Sequence, residues 1–78
     1  MIAVAVDPTL WRSSILPEGI VERWFVNNGS LVVLGNKLAE ISVEGSRHEI
    51  VAPCNGVLLI RAKANTVIEP GSILGELS

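Results

Sequence analysis

Between Leu38 and Gly56 the chain reads LAEISVEGSRHEIVAPCNG, and this stretch restricts the possible folds more than any other. Two runs, Leu38–Glu44 and Arg47–Ala52, alternate apolar and polar residues with the period of two that half-buried strands require. Only Gly45 and Ser46 separate them. A two-residue connection with glycine first predicts a type II′ hairpin turn, because that position needs positive φ. Pairing Glu44 with Arg47 then sets Val43 opposite His48, Ser42 opposite Glu49 and Ile41 opposite Ile50. Ile41, Val43, His48 and Ile50 share an inner face, and Ser42, Glu44, Arg47 and Glu49 an outer one.

The chain has 78 residues, 49% of them hydrophobic, which is enough for one small domain over residues 1–78 with a single core. The low charged fraction and the even spread of apolar residues argue against disorder. A formal net charge of −2 without a cluster of Lys or Arg gives no footing for nucleic acid or an anionic membrane. No apolar run approaches the roughly 20 residues of a transmembrane helix. Met1–Val6 lacks a positive leader and a cleavage site, so it reads as a strand and not a signal peptide. The lone Cys54 forms no internal disulfide, and a cytoplasmic protein is the expectation.

Along the chain, Ile2, Val4 and Val6 alternate with Ala3 and Ala5 in a first strand that Asp7-Pro8 ends. Thr9–Pro17 shows no clean period and reads as a loop with one turn of helix at most. Further strands are expected at Ile20–Val26, Leu31–Leu34, Val57–Ala62 and Ile73–Leu77, divided by Asn27-Asn28-Gly29-Ser30, Gly35-Asn36, Cys54-Asn55-Gly56, Ala64-Asn65-Thr66 and Pro70-Gly71. About eight short strands with frequent turn signals mean an all-β fold. The strands also repeat. Gly19-Ile20-Val21 matches Gly56-Val57-Leu58, and Ser30, Val32, Gly35, Leu38, Glu40 and Ile41 match Thr66, Ile68, Gly71, Leu74, Glu76 and Leu77. Two copies are too few for a solenoid, so the pattern predicts two interlocking halves that close one core, with the central hairpin projecting at one end.

These residues, in order, resemble the biotinyl/lipoyl domain pattern: Gly19 before Ile20–Val26, Asn28-Gly29-Ser30-Leu31-Val32, Gly35-Asn36-Lys37-Leu38-Ala39-Glu40-Ile41, Glu49-Ile50, Ala52-Pro53, Gly56-Val57, and Val67 with Gly71 and Leu74. The resemblance runs from about residue 18 to the C-terminus, and Ile2–Val6 resembles the family's first strand. It implies a barrel-sandwich hybrid, a flattened β-barrel of two four-stranded antiparallel sheets with pseudo-twofold symmetry. It also implies a lysine at the hairpin tip that carries lipoate or biotin through an amide, so that the cofactor swings between active sites at high effective concentration. Counting back from Ala52-Pro53 with the family's spacing, that acceptor position falls on Gly45, between Glu44 and Ser46. Glycine has nothing to acylate, and a slip of one residue would bring Glu44 or Ser46, neither of which is an amine. The acidic Glu44 resembles the flank of lipoyl domains more than the Met-Lys-Met of biotin carriers.

Only Lys37 and Lys63 remain as amines, and neither belongs to the expected tip. No catalytic constellation stands out: Ser46 has no base at a recognisable spacing, His48 is a lone histidine on an inner face, and Cys54 lacks a cationic neighbourhood. No metal site is expected, since Cys54 and His48 lack companions at ligand spacing. Asn28-Gly29-Ser30 and Gly71-Ser72 are turn chemistry, with no helix following to bind a phosphate. Trp11 and Trp24 are candidate core or sheet-covering residues. Glu44, Arg47 and Trp11 are candidate partner contacts.

Two readings from different classes stay open. In the first, the chain is not an enzyme and carries no cofactor. It is a lipoyl-like adaptor that binds protein partners in a 2-oxoacid dehydrogenase, acyl-transfer or carboxylase-type complex, and presents Glu44, Gly45, Ser46 and Arg47 where a carrier presents its arm. In the second it is a true lipoate or biotin carrier with an unusual or altered acceptor. A third, purely structural role resembles that of the lipoyl-like domains of membrane-fusion proteins, but their long inserted coiled coil contrasts with the two-residue turn here.

Overall fold

The computed structural model describes residues 1–12 and 18–78. Among the described residues, alternating apolar positions build seven strands: β1 (Ile2–Ala5), β2 (Gly19–Trp24), β3 (Leu31–Val32), β4 (Lys37–Val43), β5 (Ser46–Val51), β6 (Gly56–Ile60) and β7 (Ile73–Leu77). They form two antiparallel sheets, ordered β1-β7-β6-β3 and β2-β4-β5. The all-β barrel-sandwich expectation therefore stands, with two departures. The sheets do not close into a barrel, and the second has three full strands where four were expected. Residues 65–68 take the fourth place in reduced form. Ile20 bridges Val67, and Val21 N–H donates to Thr66 O at 2.9 Å, Asn65 N–H to Val21 O at 2.7 Å and Ile68 N–H to Gly19 O at 2.9 Å. Asn65 at φ 70° on one side and Pro70, without an N–H, on the other keep that segment too short for a strand.

The pseudo-twofold is visible in the backbone itself. Gly29 and Asn65 occupy matching turns with φ of 85° and 70°, and Gly35 and Gly71 match at 86° and 81°. The turn bonds repeat as well. Asn36 Oδ1 accepts from Val33 N–H at 3.0 Å, and Ser72 Oγ from Glu69 N–H at 2.8 Å. Equivalent apolar residues are buried in equivalent places: Val21 and Leu58, Val32 and Ile68, Leu38 and Leu74, Ile41 and Leu77.

The core divides into two clusters. Val6, Trp11, Val21, Ile41, Val43, Ile68 and Leu74 pack at the hairpin end. Val4, Val32, Leu38, Ala52, Leu58 and Leu77 pack at the end where Ile2 pairs with Leu77 and the termini meet. Burying each such Leu, Ile or Val contributes about 1.5–3 kcal/mol. Trp24 touches both clusters and anchors itself with an indole N–H to Ala62 O bond of 2.7 Å. Of the irregular segment after β1, Pro8–Leu10 forms a single 3₁₀ turn capped by Asp7. Residues 13–17 lie outside the described residues.

The hairpin turn differs from the type II′ expectation. Val43 pairs with Ser46, Ser42 with Arg47, Ile41 with His48 and Glu40 with Glu49, so the two loop residues are Glu44 and Gly45. Both have positive φ, 50° and 83°, which defines a type I′ turn. The turn has slid one residue towards the N-terminus. That slide changes every pairing but no parity, so the inner and outer faces stay as the sequence indicated. Contacts from outside the hairpin fix the register. Glu44 N–H donates to Glu18 O at 3.2 Å, and the Glu44 carboxylate accepts from the Arg12 N–H. A left-handed glutamate costs about 1–2 kcal/mol, and these two contacts offset it.

Candidate functional site

The tip of the β4–β5 hairpin and the segment Thr9–Arg12 that packs beside it form the one polar end where the sequence-derived candidates converge. β4 delivers Val43, which is buried, directly into the turn, so Glu44 and Gly45 stand at the outermost point of a rigid strand pair. On one side of the turn lies an open groove of about 430 Å³, walled by Thr9, Leu10 and Arg12 from one segment and by Val43, Ser46 and His48 from the hairpin, with Glu44 at its rim. On the other side is a shallower one of about 340 Å³ between Glu18, Gly19 and Ile20 at the start of β2, Ser42, Gly45 and Val67. Glu44 borders both.

Each residue singled out from sequence has a definite place. Gly45 is exposed, and a Cβ built on it meets nothing within 4 Å. Arg47 lies on the outer face, its guanidinium 3.8 Å from Glu40, which Arg23 approaches at 3.6 Å from the other side. Lys37 pairs with Glu49 at 3.4 Å and opens β4, at the far end of that strand from the turn. Lys63 is exposed in the turn after β6. His48 is half-buried on the inner face, opposite Ile41. Cys54 is a free thiol, half-buried against the terminal cluster.

Of the two readings of Trp11, core residue and partner contact, burial supports the first. Trp11 is buried at 9% exposure within the hairpin-end cluster, and its indole N–H donates to Glu18 O at 3.0 Å. That bond satisfies its polar edge, and the ring covers the core where Gly19 leaves room for it. Arg12, by contrast, was not singled out from sequence, yet it contributes a wall of the larger groove and a backbone donor to Glu44. The signal that placed it was Asp7-Pro8-Thr9, which starts the 3₁₀ turn and sends the following residues back across the hairpin.

The tip offers a carboxylate, hydroxyls, an imidazole and a guanidinium on an open surface. It offers no amine. Among the described residues no three of His, Cys, Asp and Glu gather as metal ligands, and no helix is long and apolar enough to cross a membrane. An amide-linked lipoate or biotin arm does not fit Glu44-Gly45, because neither side chain supplies the nitrogen.

Comparison with known proteins accords with the fold. Residues 13–77 match the profile of the Biotin_lipoyl family, described as "Biotin-requiring enzyme". The chain is 34% identical over 71 residues to an acetyl-CoA carboxylase of Dictyostelium discoideum, and 32% identical over 72 residues to the acetyl-CoA carboxylase dmxL1 of a Cryptosporiopsis species. These alignments take in 91% and 92% of this chain but only 3% of either relative's length. In fold it is similar to the solution structure of the lipoyl domain of the 2-oxoglutarate dehydrogenase complex from Azotobacter vinelandii, with a TM-score of 0.76 and 22% identity, covering 97% of this chain and 96% of that one. The family's domains are carrier modules of carboxylase- and dehydrogenase-type enzymes and not catalytic domains themselves. With its fold, its internal symmetry and a profile match across most of its length, this chain belongs to the biotinyl/lipoyl-attachment family.

Proposed function

We propose that this chain, as one module over residues 1–78, is a biotinyl/lipoyl-like domain without a modifiable lysine that acts as a protein-interaction module within a carboxylase, acyl-transfer or 2-oxoacid dehydrogenase-type assembly. The observation that carries this reading is the hairpin tip. Gly45, at the position the family's spacing gives to the acceptor, has no side chain, and its turn neighbour is Glu44. Lys37 is held by Glu49 at the other end of β4, and Lys63 lies in a separate turn. A module of this kind works through surface alone. Glu44 and Arg47 at the hairpin, with the groove beside Thr9–Arg12, are what it presents where a carrier presents its arm. The relatives' names favour a multi-enzyme setting.

The test is the intact mass of the protein isolated from its own host with lipoate and biotin available. The expected mass is that of the bare chain. An added lipoyl or biotinyl group would overturn the reading in favour of a genuine carrier, and peptide mapping would then assign the arm to Lys37 or Lys63. With the bare mass in hand, capture of host proteins by wild type, Glu44→Ala and Arg47→Ala identifies the partner; partners retained equally by all three would remove the hairpin from the interface.

A further inference from the structure

Among the described residues four strands lie at sheet edges: β1 with 4 residues, β3 with 2, β2 with 6 and β5 with 6, and of these β2 is lined by residues 65–68 through the Ile20–Val67 bridge. Among the described residues no segment pairs along the outer side of β5. The direction of its backbone groups follows from bonds elsewhere in the sheet. Glu44 N–H bonds to Glu18 O, so Ser42, two residues earlier, also turns towards β2, while Ile41 and Val43 turn towards β5. Their partners His48 and Ser46 face β4, as does Ala52, which accepts from Gly35 N–H and donates to Asn36 O, both at 2.9 Å. The intervening residues, Arg47, Glu49 and Val51, therefore direct their N–H and C=O groups out of the edge.

We propose that two copies of this chain pair antiparallel along β5, in the register centred on His48, and join their β2-β4-β5 sheets into one continuous sheet. In this register Arg47 of each copy stands opposite Glu49 of the other. Both residues direct their backbone groups outward, so each of the two pairs exchanges two N–H···O=C bonds, and their side chains meet as opposite charges on the outer face. Shifting the register by one step either way puts Arg47 against Arg47 or Glu49 against Glu49 on the axis, and like charges directly opposite repel. Charge thus selects one register.

A second observation favours the same occupant. Within one copy Glu49 stands directly opposite Glu40, a like-charge pair, with Lys37 as its cation at 3.4 Å. Arg47 of the other copy would continue that cross-strand row and give Glu49 a second cation. Edges that stay single are blunted by proline, by a bulge, by shortness or by charged side chains, and a charge repels a second copy only where it meets its own sign. β5 has no proline, the hairpin's bulge is in β4 at Leu38, and the edge charges alternate in sign.

Sedimentation velocity on the 78-residue chain, from about 10 µM to about 1 mM, tests the proposal. The expected result is a reversible monomer–dimer equilibrium. Arg47→Glu and Glu49→Arg should each weaken it by about tenfold or more, and the double variant carrying both should return to within about threefold of wild type, because the swap restores opposite charges across the axis. Glu49→Pro, which removes an outward N–H from an edge strand, should abolish pairing without relying on charge. A wild type that stays monomeric throughout overturns the proposal. So does a dimer indifferent to all four variants, which would place the contact elsewhere, such as the exposed apolar strip of Leu31, Val57 and Leu59 on the other sheet.

Discussion

Gly45 is the residue on which both the turn geometry and the functional reading depend, and replacing it separates space from backbone strain. A Cβ at Gly45 meets nothing within 4 Å, so no clash contributes. Its φ of 83° places any L-residue in the left-handed region, which costs about 1–2 kcal/mol. Against this, alanine removes conformational freedom from the unfolded chain, worth about 0.4–1 kcal/mol. The balance for Gly45→Ala is a loss of about 1 kcal/mol, or about 4–8 °C in Tm for a chain of this size. Gly45→Asn should lose less than Ala, since asparagine tolerates the left-handed region, and Gly45→Val should lose more. Thermal melts followed by circular dichroism give the series. A Gly45→Ala protein as stable as wild type, or an Asn variant less stable than Ala, would refute the type I′ assignment. Gly45→Lys carries the same strain and the same open space, so it should fold and, with a lipoate or biotin ligase, gain the corresponding mass. A folded but unmodified Gly45→Lys protein would mean that surfaces away from the tip also differ from a ligase substrate.

Two further perturbations test the fold and its charges. At Gly75, buried in β7 between β1 and β6, a Cβ would lie 2.7 Å from the Leu59 carbonyl oxygen, a backbone atom unable to rotate away; Gly75→Ala should therefore cost about 1–3 kcal/mol by urea denaturation, and a loss below about 0.5 kcal/mol would count against this packing. The Asp7 carboxyl is held below its ordinary value of 3.8, first by the Thr9 backbone N–H and then by the Thr9 hydroxyl. A depressed carboxyl contributes its stability above the unfolded value and loses it as pH falls through the folded one, so NMR titration should place Asp7 below 3.8 and Thr9→Val should move it upward.

What was legible in the sequence was parity. Ile41, Val43, His48 and Ile50 fall on one face whichever residue centres the turn, so the period of two fixes faces and leaves the turn free to slide. The slide that occurs is set by Glu18 and Arg12, and the Arg12 contact spans 32 residues of sequence. No local pattern announces such a contact. Trp11 stood between two readings for the same reason: it sits in a segment without periodicity, and the space above Gly19 and the carbonyl of Glu18 decide that it turns inward. The shortened fourth strand at residues 65–68 follows from its flanks, where a left-handed Asn65 and Pro70 leave room for little more than one bridge. At the site, the tip and its missing amine were readable because a hairpin turn is local chemistry. The groove was not, because half of its wall comes from Thr9–Arg12.

The internal symmetry also governs how the chain acquires its shape. Each half lends a strand to the sheet built mainly by the other: β3, from the first copy of the repeat, closes the edge beside β6, and residues 65–68, from the second, lie beside β2. Neither half is a folding unit, since each leaves an apolar face waiting for a distant piece: Leu31 waits for Val57, and Ile20 for Val67. Loop closure must come before those contacts reward it, which makes for a slow, all-or-none transition typical of non-local β topology. During synthesis the first repeat emerges with Val21, Val32, Leu38 and Ile41 still open to water. It stays unfolded until Leu58, Ile68, Leu74 and Leu77 have left the ribosome, and then both halves order together.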